Sequence, residues 1–172
     1  APEGQIILFH FDRTQSSLCR YLYYLFCTNN ILILNPGNRS DYTPDYHDLM
    51  PFDRSEGFRE GDKIVHDPRV NTLAAELTLN GIRLIIPTSG STGVPRLICY
   101  DSDCIQNAAA AISDSLDLSS SHVALGYLPL SYVYGLSVLH SHLAAGSRFR
   151  YLLRDEKMIG FFKIFLIFSL LK

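Results

Sequence analysis

Residues 31–34 read Ile-Leu-Ile-Leu, four aliphatic side chains with no polar break. A strand points successive side chains to opposite faces, so an uninterrupted apolar run belongs to a strand buried on both sides. Strands of that kind sit in sheets that helices cover on both faces, which is the α/β class. The flanking sequence agrees. Residues 5–9 are a second short apolar strand. Between the two, Thr14 is placed to cap a helix reaching Cys27, with Leu18, Leu22, Leu25 and Phe26 on one face. Asn29 and Asn30 end that helix, and Asn35-Pro36-Gly37 turns the chain after the second strand. The pattern is a βαβ unit.

The same alternation resumes further on. Residues 38–63 show no lasting period and read as a long irregular connection, and 70–79 as a short helix or strand. Strands are expected at 82–86 and 96–100. Asp101 or Ser102 then caps a helix, with Asp103 in its first turn and Ile105, Ala109, Ile112 and Leu116 at helical spacing. The serines at 119–121 break it. A strand at 123–128, a loop at 129–135, a helix at 136–145 ended by Gly146 and a strand at 148–153 complete the pattern. At 172 residues the chain suffices for one domain with a sizeable core. The expected fold is α/β, a largely parallel sheet with flanking helices.

Between the strands at 82–86 and 96–100 lies the chemistry. Thr88, Ser89, Gly90, Ser91, Thr92 and Gly93 are six small residues in a row, followed by Val94, Pro95 and Arg96. Hydroxyls and backbone amides in a concave turn form a nest for an anion. Glycine at 90 and 93 removes the side chains that would block a phosphate. Arg96 supplies a fixed positive charge that binds phosphate oxygens through two parallel hydrogen bonds. Three familiar loops are excluded by spelling. After the four residues that follow Gly90 comes Pro95, not the Gly-Lys of a Walker A loop; position 92 is Thr, against G-x-G-x-x-G; and Ser89 stands two residues before Ser91, against G-x-S-x-G.

Residues 88–95 resemble instead the T-S-G-S-T-G-x-P-K phosphate-binding signature of the adenylate-forming enzymes: acyl-CoA synthetases, luciferases and nonribosomal adenylation domains. Arg96 stands where that family usually has Lys. A second segment supports the resemblance. Leu128-Pro129-Leu130-Ser131-Tyr132-Val133-Tyr134-Gly135-Leu136 is similar to the family's L-P-L-x-[HY]-x-Y-G-L stretch. The resemblance implies that Thr88, Ser89, Gly90, Ser91, Thr92, Gly93 and Arg96 hold the ATP phosphates, and that Tyr132, Tyr134 and Gly135 line the pocket for an acyl substrate. It is firm over residues 82–153. In the N-terminal half, Phe26, Cys27, Thr28 and the Asn pair replace the small residues of the family pattern.

The resemblance implies an ATP-dependent ligase. A carboxylic acid, fatty or other acyl, would react with ATP to give acyl-AMP for transfer to CoA or another thiol, with Mg²⁺ required. No Y-G-x-T-E segment, no later ribose-binding motif and no C-terminal catalytic Lys in its family context occurs within the 172 residues, so the chain supplies no Mg²⁺ ligand. Residues 1–153 are therefore expected to be part of the N-terminal AMP-binding domain. Residues 154–172, rich in Phe, Ile and Leu, are an apolar tail, and the chain is a truncated, inactive piece. A non-catalytic phosphate-binding or degenerate module that keeps only the fold is the alternative. A subunit completed by a second chain, or self-association through exposed apolar surface, is a third reading.

Composition excludes other classes. With 15 basic and 17 acidic side chains the net charge is −2, and no basic stripe suits nucleic acid. The ten tyrosines are scattered and offer no stacking platform. Cys19, Cys27, Cys99 and Cys104 form neither a C-x-x-C pair nor a metal pattern, which fits a reducing, cytoplasmic setting. The apolar run at 159–171 contains Lys163 and falls short of the ~20 residues a membrane span needs. His140 and His142, two apart, diverge on a helix and do not pair, and His122 reads as a solvated turn residue.

Overall fold

The computed structural model describes residues 4–12, 14–34, 63–64, 68–88 and 97–151. Its elements in chain order are β1 (Ile6–Phe9), α1 (Gln15–Cys27), β2 (Ile31–Leu34), β3 (Lys63–Ile64), α2 (Pro68–Leu79), β4 (Ile82–Pro87), β5 (Leu97–Asp101), α3 (Ser102–Ser115), β6 (Val123–Gly126), α4 (Val133–Ala144) and β7 (Arg148–Tyr151). They fall into two compact units. One comprises Ala1–Phe11 with Arg20–Asp101, the other Asp12–Cys19 with Ser102–Lys172.

The first unit is a five-stranded sheet in the order β3-β1-β2-β4-β5. The central pairings β1/β2 and β2/β4 are parallel; β3 and β5 join the two edges antiparallel. β1–α1–β2 is the βαβ unit the spacing predicts, and all four residues of Ile31–Leu34 are buried. Alternation divides them between two faces. Ile6, Leu8, Ile31, Ile33 and Ile85 pack with Ala74 of α2. On β1, the other face carries Phe9, whose ring centroid lies 5.8 Å from that of buried Tyr21 on α1.

α1 is closed at both ends by named groups. The Thr14 hydroxyl accepts from the Ser17 amide at 3.1 Å, the N-cap bond expected of it. At the other end, Thr28 Oγ1 donates to the Tyr24 carbonyl at 2.8 Å. Arg83 reaches across from β4, donating through Nη1 to Asn29 at 3.2 Å and through Nη2 to the Leu25 carbonyl at 3.5 Å. A cation there offsets the negative end of the helix dipole, and partial burial holds the Arg83 pKa below its ordinary value. Arg83 stands where the β4/β5 register slips between Ile82 and Leu84.

The second unit pairs β6 with β7 in parallel, Val123 opposite Arg148 through Gly126 opposite Tyr151, and packs α4 against both strands and against α3. Residues 70–79, whose pattern suits helix or strand, belong to helix α2. Boundaries differ from expectation; the strand expected at 123–128, for one, stops at Gly126. The last helix begins at Val133, not 136, because the segment expected to be loop supplies its first turn. Leu116, expected on the buried face of α3, lies beyond the helix and is 63% exposed, while Ser113 is buried instead.

Candidate functional site

β4 and β5 end and begin on paired residues, Pro87 opposite Leu97. The glycine-rich segment is therefore the connection of an antiparallel hairpin at the edge of the first sheet. Of its candidate phosphate ligands, Thr88 follows β4 directly and is half-buried. Ser89, Gly90, Ser91, Thr92, Gly93 and Arg96 lie outside the described residues, as does the tail at 154–172.

The tyrosine segment forms the turn into α4. Tyr132 is the residue before the helix, extended at φ −121° and ψ 149°. Its amide donates to the Pro129 carbonyl at 3.3 Å, and its carbonyl accepts from Leu136 at 3.1 Å. Gly135 is buried at the tightest point of this turn. A Cβ there would run into the Pro129 carbonyl, which is backbone and has no room to give. Glycine at 135 is thus what lets residues 129–131 fold back onto the first turn of α4. Leu130, Leu136 and Leu139 bury themselves and anchor it.

The two tyrosines of the segment are exposed, while its one serine, Ser131, is buried. Tyr132 is 44% and Tyr134 70% exposed. Neither is a core aromatic, the ordinary fate of tyrosine in an apolar stretch. Tyr127, 61% exposed, adds a third ring that the motifs do not single out. Its signal is the alternation of large Val123, Leu125 and Tyr127 with small Ala124 and Gly126. The large members are exposed and the small ones within β6 buried, so this face of β6 is apolar surface. Tyr132, Tyr134 and Gly135 are gathered on one helix N-terminus.

Other candidates settle differently. None of Cys19, Cys27, Cys99 and Cys104 is in a disulfide and all four are exposed; what desolvation Cys99 has pushes its thiol up. His140 is buried, and desolvation lowers its pKa to about 4. His122 is exposed as expected of a turn residue, but its Nδ1 accepts from the Ser119 amide at 3.0 Å. Among the described residues no group of three or more His, Cys, Asp or Glu is placed to hold a metal, and no helix is long and apolar enough to cross a membrane.

No family model matches the chain. Over 88 residues, 51% of this chain and 1% of that protein, it is 27% identical to one of the subunits of linear gramicidin synthase from Brevibacillus parabrevis. Among solved structures, a variant of E. coli MenE with bound OSB-AMS matches 91% of this chain with a TM-score of 0.56 and 19% identity. Motifs and fold alike resemble the adenylate-forming superfamily. The fold is similar to part of the N-terminal domain of those enzymes, and the chain spans 36% of the MenE chain's length. A luciferase-like enzyme from the nonluminescent mealworm Zophobas morio matches over 77% of this chain and 28% of its own, at 14% identity. Its TM-score of 0.32 is too low to bear on the fold.

Proposed function

We propose that this chain supplies the triphosphate-gripping part of an ATP-dependent, carboxylate-adenylating ligase. The observation that carries the reading is the T-S-G-S-T-G-x-P string at 88–95, set on a β-hairpin of a sheet whose fold resembles those enzymes. In that reaction a carboxylate oxygen of the acid forms a bond to the α-phosphorus of ATP. The bond from that phosphorus to the β-phosphate oxygen breaks and pyrophosphate leaves. A thiol such as CoA then attacks the acyl carbon, giving thioester and AMP. Catalysis of this kind rests on positioning and on neutralising phosphate charge.

In this scheme the hydroxyls and amides of Thr88, Ser89, Gly90, Ser91, Thr92 and Gly93 cradle the β- and γ-phosphates, and Arg96 offsets their charge. Tyr132 and Tyr134, exposed at the start of α4, offer apolar ring faces to the acyl part of the acid, with Gly135 setting their turn. Mg²⁺ supplies further charge neutralisation when bound; the family's Thr-Glu segment that helps hold it is not in these 172 residues. The chain alone is accordingly a binder and a poor catalyst, acting in a cytoplasmic setting.

Calorimetry with ATP tests this on the full chain. Weak saturable binding is expected, and Gly90→Val together with Arg96→Ala abolishes it. Equal heats from both proteins would overturn the reading. Arg96 in place of the family's Lys, and the altered N-terminal half, favour a second reading, a non-catalytic phosphate-binding module that keeps the fold. Acid-dependent exchange of pyrophosphate into ATP by any longer form of the chain argues against that second reading. The exposed Val123, Leu125 and Tyr127 favour self-association, which light scattering reads as a mass above 19.4 kDa.

A further inference from the structure

One residue before the β1/β2 ladder opens at Ile6 and Ile31, two amide side chains come together. Asn30 is wholly buried. Its Oδ1 accepts from the Gln5 amide at 3.1 Å, and its own amide donates to Thr28 Oγ1 at 3.2 Å. Thr28 Oγ1 donates in turn to the Tyr24 carbonyl of α1 at 2.8 Å. The Gln5 carbonyl accepts from the Ile31 amide at 2.9 Å. Asn30 thus fastens the end of α1 to the starts of β1 and β2.

This bonding settles which way the Asn30 amide points. A backbone N–H only donates, so the atom facing Gln5 is oxygen and the other is Nδ2. Nδ2 is covered by protein and has no acceptor among the described residues. Gln5 Oε1, on the residue already bonded to Asn30, is covered as well and has no donor among them. Buried polar groups are almost always satisfied, because an amide taken out of water with nothing to bond is strongly disfavoured. An unmet donor and an unmet acceptor on two bonded neighbours call for one group that accepts from the first and donates to the second. A cation is repelled by the N–H, and an anion by the carbonyl oxygen. Asn30 has no exposed surface, which leaves an organic ligand no way in. Water both donates and accepts, and buried waters typically make about three such bonds.

We propose that Asn30 Nδ2 and Gln5 Oε1 hold one structural water, which completes the fastening of α1 to β1 and β2. The water accepts from Nδ2 and donates to Oε1, and Asn30 Oδ1 stays with the Gln5 amide. β1, β2 and β4 run parallel, so this end of the sheet is opposite the one where β4 leads into Thr88. The site is therefore independent of the nucleotide reading and stands or falls without it.

Nuclear Overhauser transfer from water to the Asn30 side-chain NH2, measured on the isotope-labelled full chain, tests this. A cross peak is expected with the sign of a water that tumbles with the protein. It is expected to persist in Thr28→Val, which removes the neighbouring hydroxyl as a source of the signal. Gln5→Met, close in shape but without the acceptor, is expected to lose most of the peak and to speed hydrogen exchange of the Asn30 NH2 by about tenfold, the equivalent of one lost hydrogen bond. A native chain without the peak overturns the proposal, as does a peak lost in Thr28→Val or unchanged in Gln5→Met. So does scalar coupling across a direct bond from Asn30 Nδ2 to Gln5 Oε1, a readout on the native chain that needs no variant to fold.

Discussion

At residue scale, three side chains test the packing. In Gly135→Ala, the gain in helix propensity of about 1 kcal/mol opposes a Cβ driven into the Pro129 carbonyl. Overpacking against backbone costs roughly 1–3 kcal/mol, so net destabilisation is expected, read as a lower denaturant midpoint. His140 gives a pH signature. Burial lowers its proton affinity to about 4 from 6.5, so the folded state favours the neutral ring and the unfolded chain binds the proton more readily. Stability is full above about pH 6.5, falls as pH drops toward 4, and loses roughly 3 kcal/mol over that window. His140→Leu is expected to remove most of this slope in urea titrations at pH 7.5 and 4.5; an unchanged slope would place the titration elsewhere. Thr14→Ala deletes the cap bond to the Ser17 amide and is expected to cost about 1 kcal/mol.

At the scale of elements, the strands were legible where burial is two-sided. Ile31 to Leu34 has no polar residue to misplace, nor has its neighbour Ile6 to Phe9, and Leu84 to Pro87 is buried beyond Arg83. Ile33→Ala is expected to cost about 2–5 kcal/mol, since Ile33 is fully buried in the centre of the sheet. What escaped the sequence had tertiary causes. The hold of Arg83 on the end of α1 leaves no local pattern, because its partners Leu25 and Asn29 are more than fifty residues away. The early start of α4 depends on the Pro129 carbonyl folding onto Gly135, a contact that Pro129 and Tyr132 disguise as loop. Leu116 kept helical spacing after the helix had stopped, since periodicity does not register Asp117, whose φ of +49° ends it. Of the candidate site, the two motifs were legible as strings. The exposure of Tyr127, Tyr132 and Tyr134 was not, because apolar content alone does not say which face is covered.

At the scale of the whole molecule, a sheet that resembles part of an adenylate-forming domain carries a loop spelled for phosphate. The chain spans little more than a third of the MenE chain it matches, so ligase chemistry remains a property proposed for the protein these residues serve. The part proposed for these residues is the grip on the β- and γ-phosphates. A phosphorus NMR competition on the full chain measures it most directly. ATP and pyrophosphate are expected to displace one another from a single weak site, with AMP far weaker and Arg96→Ala showing no site. AMP binding as well as ATP, or Arg96→Ala indistinguishable from the native chain, would contradict it.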